Sequence, residues 1–279
     1  MGGAMAARLV EAGWRVQVHD IDRAKVDSLQ AAGAIAATSS AEAATGASCF
    51  IVCVVDAVQA QAVLFGADGA AASLRGGTPV LLCPTIAPED TERLAAALTE
   101  RGLLPVDAPM SGGPVRARDG SMSLMVAGLP QALDAAQPLL AALSERVFHV
   151  SARPGDGART KLVNNLLAGI NLVGVAEALA MAKVLGLDPA RTLDVIEHSS
   201  GQSWIGSDRM RRAIEGDLAP RAHLTLLRKD TALAVQAAAT AGFAGPLGPI
   251  ARDMFQRAAD AGLADLDDGA LLQFLSRGR

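Results

Sequence analysis

The sequence changes character once, near residue 154, and that change limits what the chain can fold into. Before it, short apolar runs alternate with amphipathic stretches; after Pro154 every long segment carries helical periodicity. Strands alternating with helices specify a parallel sheet covered by helices, whereas an unbroken helical pattern specifies a bundle. Helices are expected over residues 4–13 (apolar face Met5, Leu9 and Val10), 23–32, 58–64, 90–101 and 131–143. Strands are expected at 15–19 (RVQVH), 49–55 (CFIVCVV), 79–83 (PVLLC), 103–107 (LLPVD), 121–127 (SMSLMVA) and 147–150. The second half reads as helices over 157–185, 189–197, 208–215, 224–241, 247–261 and 269–276. The expected architecture is an α/β dinucleotide-binding (Rossmann-type) domain over 1–152, its first strand missing, followed by an all-α domain over 153–279.

A length of 279 residues suits two medium domains. Hydrophobic residues make up 51% of the chain, yet aromatics only 3% and Tyr is absent, so Ala, Leu and Val must fill the cores. A formal charge of −4 offers no footprint for a polyanion, and nucleic acid is not an expected partner. The densest basic run, Arg209 to Arg212, is broken by Met210 and reads as a solvated helix face. Cys49, Cys53 and Cys83 lie in strand-like apolar runs without a His at ligand spacing. They read as buried free thiols of a reducing compartment, neither a disulfide framework nor a metal site. Arg8 and Glu11 interrupt the first helix where a secretory leader would be continuously apolar. The long apolar helix has an uncharged stretch over 162–176, short of the roughly 20 residues of a bilayer span, and contains Asn164, Asn165 and Asn171. A soluble, cytoplasmic protein with no membrane partner is expected.

A dinucleotide site normally opens with a strand, the glycines of G-x-G-x-x-G and a helix, so that backbone N–H groups and the helix dipole receive the pyrophosphate. Here the helix is present, and Met1-Gly2 falls where the last glycine should be. Met1 is therefore expected to be an internal methionine of a longer protein. RVQVHD ends in Asp20, where an acid accepts hydrogen bonds from the ribose hydroxyls of NAD. The alternative is a turn residue before Asp22. A carboxylate there repels a 2′-phosphate, favouring NAD over NADP, a preference that nearby Arg23 tempers. Val55 and Thr85 follow two strand exits and are placed to border the cofactor, or are simply turns.

Two segments carry chemistry. Ser111-Gly112-Gly113, after an apolar strand, can turn several N–H groups on one anion because two residues lack side chains, and a carboxylate is its natural guest. A glycine turn in a hairpin is the plainer reading. In TKLVNN, Lys161 and Asn165 are four residues apart and share a helix face. Asn is a poor helix former, so two in succession within an apolar helix need partners. Either they bond neighbouring helices while Lys161 extends to solvent, or Lys161 exchanges a proton with a substrate hydroxyl that Asn165 orients.

Together, MGGAMAARLVEAG, DAPMSGG, GDGARTKLVNN and RKD (228–230), in that order, resemble the β-hydroxyacid dehydrogenase family, related to 6-phosphogluconate dehydrogenase, over nearly the whole chain. The resemblance implies NAD-dependent oxidation of a small hydroxy acid to the keto acid, with Lys161 catalytic. It implies substrate contacts at Ser111, Gly112, Gly113 and Asn165, and cofactor contacts at Gly2, Asp20, Val55, Thr85 and Lys229. VVDAVQAQAVLFGADG and SSGQSWIGSDRM are similar to the L-threonate branch and add Ser199, Ser200 and Trp204 as substrate contacts. Asn164-Asn165 instead follows the wider hydroxyacid group, and Pro84 replaces the usual Ser before Thr85. The long apolar helix implies a homodimer or homotetramer. Two alternatives stay open: an imine-type reductase on the same fold, and a non-catalytic dinucleotide-binding scaffold.

Overall fold

The computed structural model describes residues 1–276 and divides the chain into two compact units, Met1–Lys161 and Leu162–Arg279. The first opens on α1 (Gly2–Glu11), β1 (Gln17–Val18), α2 (Arg23–Ala31), β2 (Ile35–Ala36), α3 (Ser40–Ala44), β3 (Phe50–Val52) and α4 (Ala57–Phe65). It continues with β4 (Pro79–Leu82), α5 (Pro88–Thr99), β5 (Leu104–Asp107), β6 (Met110–Ser111), α6 (Gly113–Asp119), β7 (Ser123–Ala127), α7 (Pro130–Leu143) and β8 (Arg146–Ser151). Strands β1 and β2 form their own parallel ladder. The other six form one sheet in the order β3-β4-β5-β7-β6, with β8 also on β7.

The sheet is mixed where an all-parallel one is expected from the alternation. β3, β4 and β5 are parallel, as are β7 and β8, but β7 runs antiparallel to β5 and β6. Only Ala108 and Pro109 separate β5 from β6, and α6 has seven residues. A parallel return needs a long crossover; a short connection brings the chain back against its own direction. The predicted strand at 15–19 shrinks to Gln17–Val18, tied to β2 by Ile35 N–H on Val16 O (2.8 Å) and Ala37 N–H on Val18 O (2.9 Å).

β4 is buried along its whole length because both sheet faces are covered. Alternation sends Val80 and Leu82 to a core with Val52, Leu64, Leu94 and Leu98, and Leu81 to one with Met5, Leu9, Val106 and Leu140. Asp22, Ser39 and Asp56 cap α2, α3 and α4 by accepting first-turn N–H groups at 3.1, 3.1 and 2.8 Å. α1 has no such side-chain cap.

The second unit is helical: most of α8 (Asp156–Val184), then α9 (Pro189–Glu197), α10 (Trp204–Glu215), α11 (Leu224–Thr240), α12 (Leu247–Ala258) and α13 (Leu271–Ser276). A π turn at Ala259–Leu263 and a 3₁₀ turn at Asp268–Ala270 replace the ends of the two last predicted helices. α8 is long and apolar enough to cross a bilayer. It instead buries Leu172, Ala176 and Leu179 with Leu193, Met210, Phe255 and Leu271 in the helical core. At Gly169 a Cβ would lie 2.7 Å from the Thr231 methyl and 3.3 Å from the Phe255 ring, so the close packing of this helix requires glycine there.

The basic run on α10 corrects a sequence expectation. Arg209 and Arg212 are each only 8% exposed. Arg209 Nε donates to Asp268 at 2.5 Å, while Arg212 donates to Asp217 at 2.9 Å, Asp267 at 3.2 Å and the Ala219 carbonyl at 2.6 Å. Asp267 also accepts Arg221 N–H at 2.9 Å and Gly269 N–H at 3.2 Å. These residues clasp the chain around residue 267 to α10, and only Arg211 keeps to the surface, on Asp194 and Glu197. Removing one partner leaves opposite charges buried and uncompensated, so Arg209→Ala is expected to destabilise the folded chain by about 3–5 kcal/mol. Urea unfolding of variant and parent measures this.

Candidate active site

The cofactor side is built at the carboxyl ends of parallel strands, where open α/β sheets bind ligands. β3 runs out into Cys53–Val55 and β4 into Cys83, Pro84 and Thr85. Gly2 starts α1 directly against the β3 exit: a Cβ there would stand 3.3 Å from Cys53 Cβ and 3.4 Å from its sulfur. The first turn of α1 has no side-chain cap, and its Gly2 amide faces the Cys53 sulfur. Val55 N–H donates to Gln59 Oε1 at 3.0 Å, and Thr85 is half-buried. Asp20 is exposed at the end of β1, and one of its oxygens accepts Asp22 N–H at 2.9 Å, so the turn role is filled. Arg23, which was expected to temper the preference for NAD, is engaged with Asp27 at 2.9 Å. A glycine at the start of a helix without a side-chain cap and an acid after β1 fit the pyrophosphate and ribose of a dinucleotide. All three cysteines are free, with Cys83 buried and Cys49 and Cys53 partly so. Burial pushes all three thiols up.

Ser111 ends β6, opposite Ser123. Gly112 and Gly113 follow with φ of +128° and +75°, conformations open to glycine, and turn the chain into α6 rather than into a tight hairpin. At Gly112 a Cβ would also lie 2.8 Å from the Arg116 side chain. The loop thereby presents backbone polar groups unobstructed by side chains.

Lys161 lies in the second turn of α8 and is only 7% exposed, so it does not extend to solvent. Its helix is tied down by Asp107, a residue that sequence reasoning did not single out. Asp107 is 1% exposed at the end of β5, and its Oδ2 accepts Gly155 N–H at 2.8 Å and Ala158 N–H at 3.0 Å. The Gly157 amide faces it as well. At Gly157 a Cβ would lie 2.7 Å from the Met125 carbonyl and 2.9 Å from this carboxylate, so the first turn of α8 can sit there only as glycine. Burial raises the Asp107 pKa to about 6 against the lowering pull of the three amides. Asp156 behaves oppositely: hydrogen bonds from Arg153 and Ser151 hold it at about 2. Arg159 joins α8 to Glu92 of α5 at 2.7 Å.

In the helical unit the two asparagines find partners. Asn165, 7% exposed, accepts from Asn164 Nδ2 at 3.0 Å and donates to Asp230 Oδ2 at 2.6 Å. The other Asp230 oxygen pairs with Lys229 Nζ at 2.8 Å, so one buried carboxylate joins Asn165 to Lys229. Asp230 stood in the sequence only as the end of RKD; the signal was two polar residues inside an apolar helix that needed an acceptor. Lys229 lines an open depression of about 320 Å³ with Arg228, Ala232, Leu233 and Gln236. Ser199 and Trp204 are exposed on the turn from α9 to α10, apart from the Asn165–Asp230 pair in sequence, and Trp204 opens α10 behind its cap Ser203.

A dinucleotide-binding α/β unit with a glycine loop and a buried lysine, followed by a helical unit, is the build of an NAD(P)-dependent oxidoreductase. Residues 1–151 match the NAD-binding domain of 6-phosphogluconate dehydrogenase, and residues 155–275 the NAD-binding domain of NADP-dependent 3-hydroxyisobutyrate dehydrogenase. The chain belongs to the β-hydroxyacid dehydrogenase family. It is 36% identical to the L-threonate dehydrogenase of Cupriavidus necator, over 98% of this chain and 92% of that protein. It is also 36% identical to the 3-hydroxyisobutyrate dehydrogenase of Pseudomonas aeruginosa, over 100% of this chain and 96% of that one. A crystal structure of 3-hydroxyisobutyrate dehydrogenase from Salmonella typhimurium superposes with a TM-score of 0.92 at 35% identity, covering 98% of this chain and 95% of the other.

The raised Asp107 pKa fixes the sign of a pH effect. The native state holds this proton between about pH 4 and 6 while the unfolded chain releases it. The contribution is full below the unfolded pKa and disappears as pH rises through the folded one. Asp107→Asn cannot ionise, so its stability relative to the parent should rise across that interval by about 2–3 kcal/mol and level off above it. Urea midpoints of both proteins, taken in parallel across the interval, measure the difference.

Proposed function

We propose that the protein oxidises a small β-hydroxy carboxylic acid to its keto acid, the substrate being 3-hydroxyisobutyrate-like or a four-carbon sugar acid of the L-threonate kind, with Lys161 as acid/base. The observation that carries this reading is a lysine held almost fully buried in the unit that also contains the Ser111–Gly113 loop. NAD, when bound, supplies the hydride acceptor. Lys161 takes the hydroxyl proton as the carbonyl forms, and in the reverse direction its ammonium polarises that carbonyl. Ser111, Gly112 and Gly113 hold the substrate carboxylate, Asn165 orients its hydroxyl, and Ser199 and Trp204 contact the remainder. Gly2, Val55, Thr85 and Lys229 border the cofactor. Asp20 takes the ribose hydroxyls and repels a 2′-phosphate, so NAD is preferred to NADP.

On this reading residues 1–152 bind the cofactor, and 153–279 form the substrate and subunit-contact domain of a cytoplasmic homodimer or homotetramer. α8 leaves Val163, Leu167, Met181 and Val184 between 58% and 71% exposed, apolar surface that a second copy would cover.

Steady-state assay of L-threonate, 3-hydroxyisobutyrate and L-serine with NAD and with NADP tests the substrate class; absence of turnover on every hydroxy acid would sink the proposal. Lys161→Ala should lower kcat by about 10²-fold or more while NAD binding, followed by calorimetry, stays close to the parent value. Unchanged kcat removes Lys161 from the mechanism. Sedimentation equilibrium should give a mass of two or four chains, and a strictly monomeric mass counts against the proposed assembly.

A further inference from the structure

We propose that Asp107 is a positioning residue for Lys161, its carboxylate fixing the first turn of α8 so that the lysine stands at a set height against the Ser111–Gly113 loop. The inference rests on Lys161 being the acid/base, and extends that reading to a residue outside the site as drawn from the sequence. Three observations carry it. The carboxylate is buried at the end of β5 and accepts Gly155 and Ala158 N–H on one oxygen, at 2.8 and 3.0 Å. Lys161 follows Gly157 by four residues and Ala158 by three, spacings that put it on the helix face bearing the captured amides. Ser111 follows Asp107 by four residues, with β6 pinned on β7. One residue therefore belongs by its backbone to the strand that leads to the loop and holds by its side chain the helix turn before the lysine.

The same amides could be served by any cap if holding the helix were the whole task. The fit is narrower than that. Gly155 takes φ +100°, and a Cβ on it would stand 2.8 Å from the Glu92 side chain. Gly157 has no room for a methyl group between the Met125 carbonyl and Asp107 itself. Two of the first residues of this turn thus give up side chains to bring the backbone onto one carboxylate. A displacement of about 1 Å at a proton-transferring group can cost up to 10²-fold in rate without loss of substrate or cofactor binding.

The test compares Asp107→Ala, Asp107→Asn and Gly157→Ala in the full chain, using the hydroxy acid the parent turns over best. Asp107→Ala should lower kcat by at least about tenfold, with KM and NAD affinity within about twofold, and speed amide exchange at Gly155 and Ala158. Asp107→Asn keeps an oxygen where the two amides donate, and should recover most of the loss in both readouts. Gly157→Ala keeps the carboxylate and displaces only the turn; it should reproduce the kcat loss, and it decides the matter should Asp107→Ala not fold. Equal losses of kcat, NAD binding and melting temperature would overturn the proposal, as would an Asp107→Ala or Gly157→Ala protein with parental kcat. Should Lys161→Ala retain turnover, the acid/base reading fails; amide exchange at Gly155 and Ala158 still shows whether Asp107 holds the turn.

Discussion

The chain depends on one carboxylate at the point where its two halves of sequence meet. Asp107 closes the last of the three parallel strands β3, β4 and β5 and receives the first turn of the 29-residue helix α8. Burying a carboxylate costs several kcal/mol unless hydrogen bonds repay it. Each bond from an amide to a charged acceptor returns about 1.5–3 kcal/mol. Burial outweighs the amides, which is why the group keeps a proton up to about pH 6. What the arrangement secures is geometry: a helix N-terminus is held at the carboxyl end of an interior strand, and the helix dipole adds its positive end to the same spot.

The helical unit repeats the device with other residues. Asp230 accepts from Asn165 and pairs with Lys229, and Asp267 and Asp268 accept from Arg212 and Arg209. A buried acid in each case joins segments distant in sequence. The two sites differ in what they lie beside. The Arg209 cluster ties the loop around residue 267 to α10, whereas Asp230 contacts two of the proposed site residues, Asn165 and Lys229.

Alternating patterns, apolar runs and caps are local signals, and the elements built on them were legible: β4 as a continuous apolar strand, α8 as a long apolar helix, the switch after Pro154. Lys161 and Asn165 could be paired from a spacing of four. Asp107, Asp230 and the Arg209 cluster could not be read the same way. Asp107 meets Gly155 across 48 residues and Arg209 meets Asp268 across 59, and no local pattern encodes which distant charge an acid will find. The arginine run looked solvated because charge density alone does not reveal acids folded back onto it. The antiparallel β7 was hidden for a similar reason, since β6 and α6 are too short to announce themselves and yet decide the direction of the return.

α8 then takes on a role that its composition conceals. Lys161 is the last residue of the first unit and Asn165 falls in the second, on one uninterrupted helix. Four residues at 1.5 Å each set them about 6 Å apart along the axis. That spacing is held by backbone hydrogen bonds rather than by packing between loops. An apolar helix suits this purpose because its core-facing residues, Leu172, Ala176 and Leu179 among them, prevent rotation about its own axis. Within the first unit Asp107 holds the start of the helix, and within the second Asp230 accepts from Asn165, so each unit fixes its own stretch of α8 by a buried acid. On the proposed chemistry, a lysine whose own helix turn is fixed in advance needs little reorganisation when a substrate hydroxyl arrives, the condition under which a single base is effective.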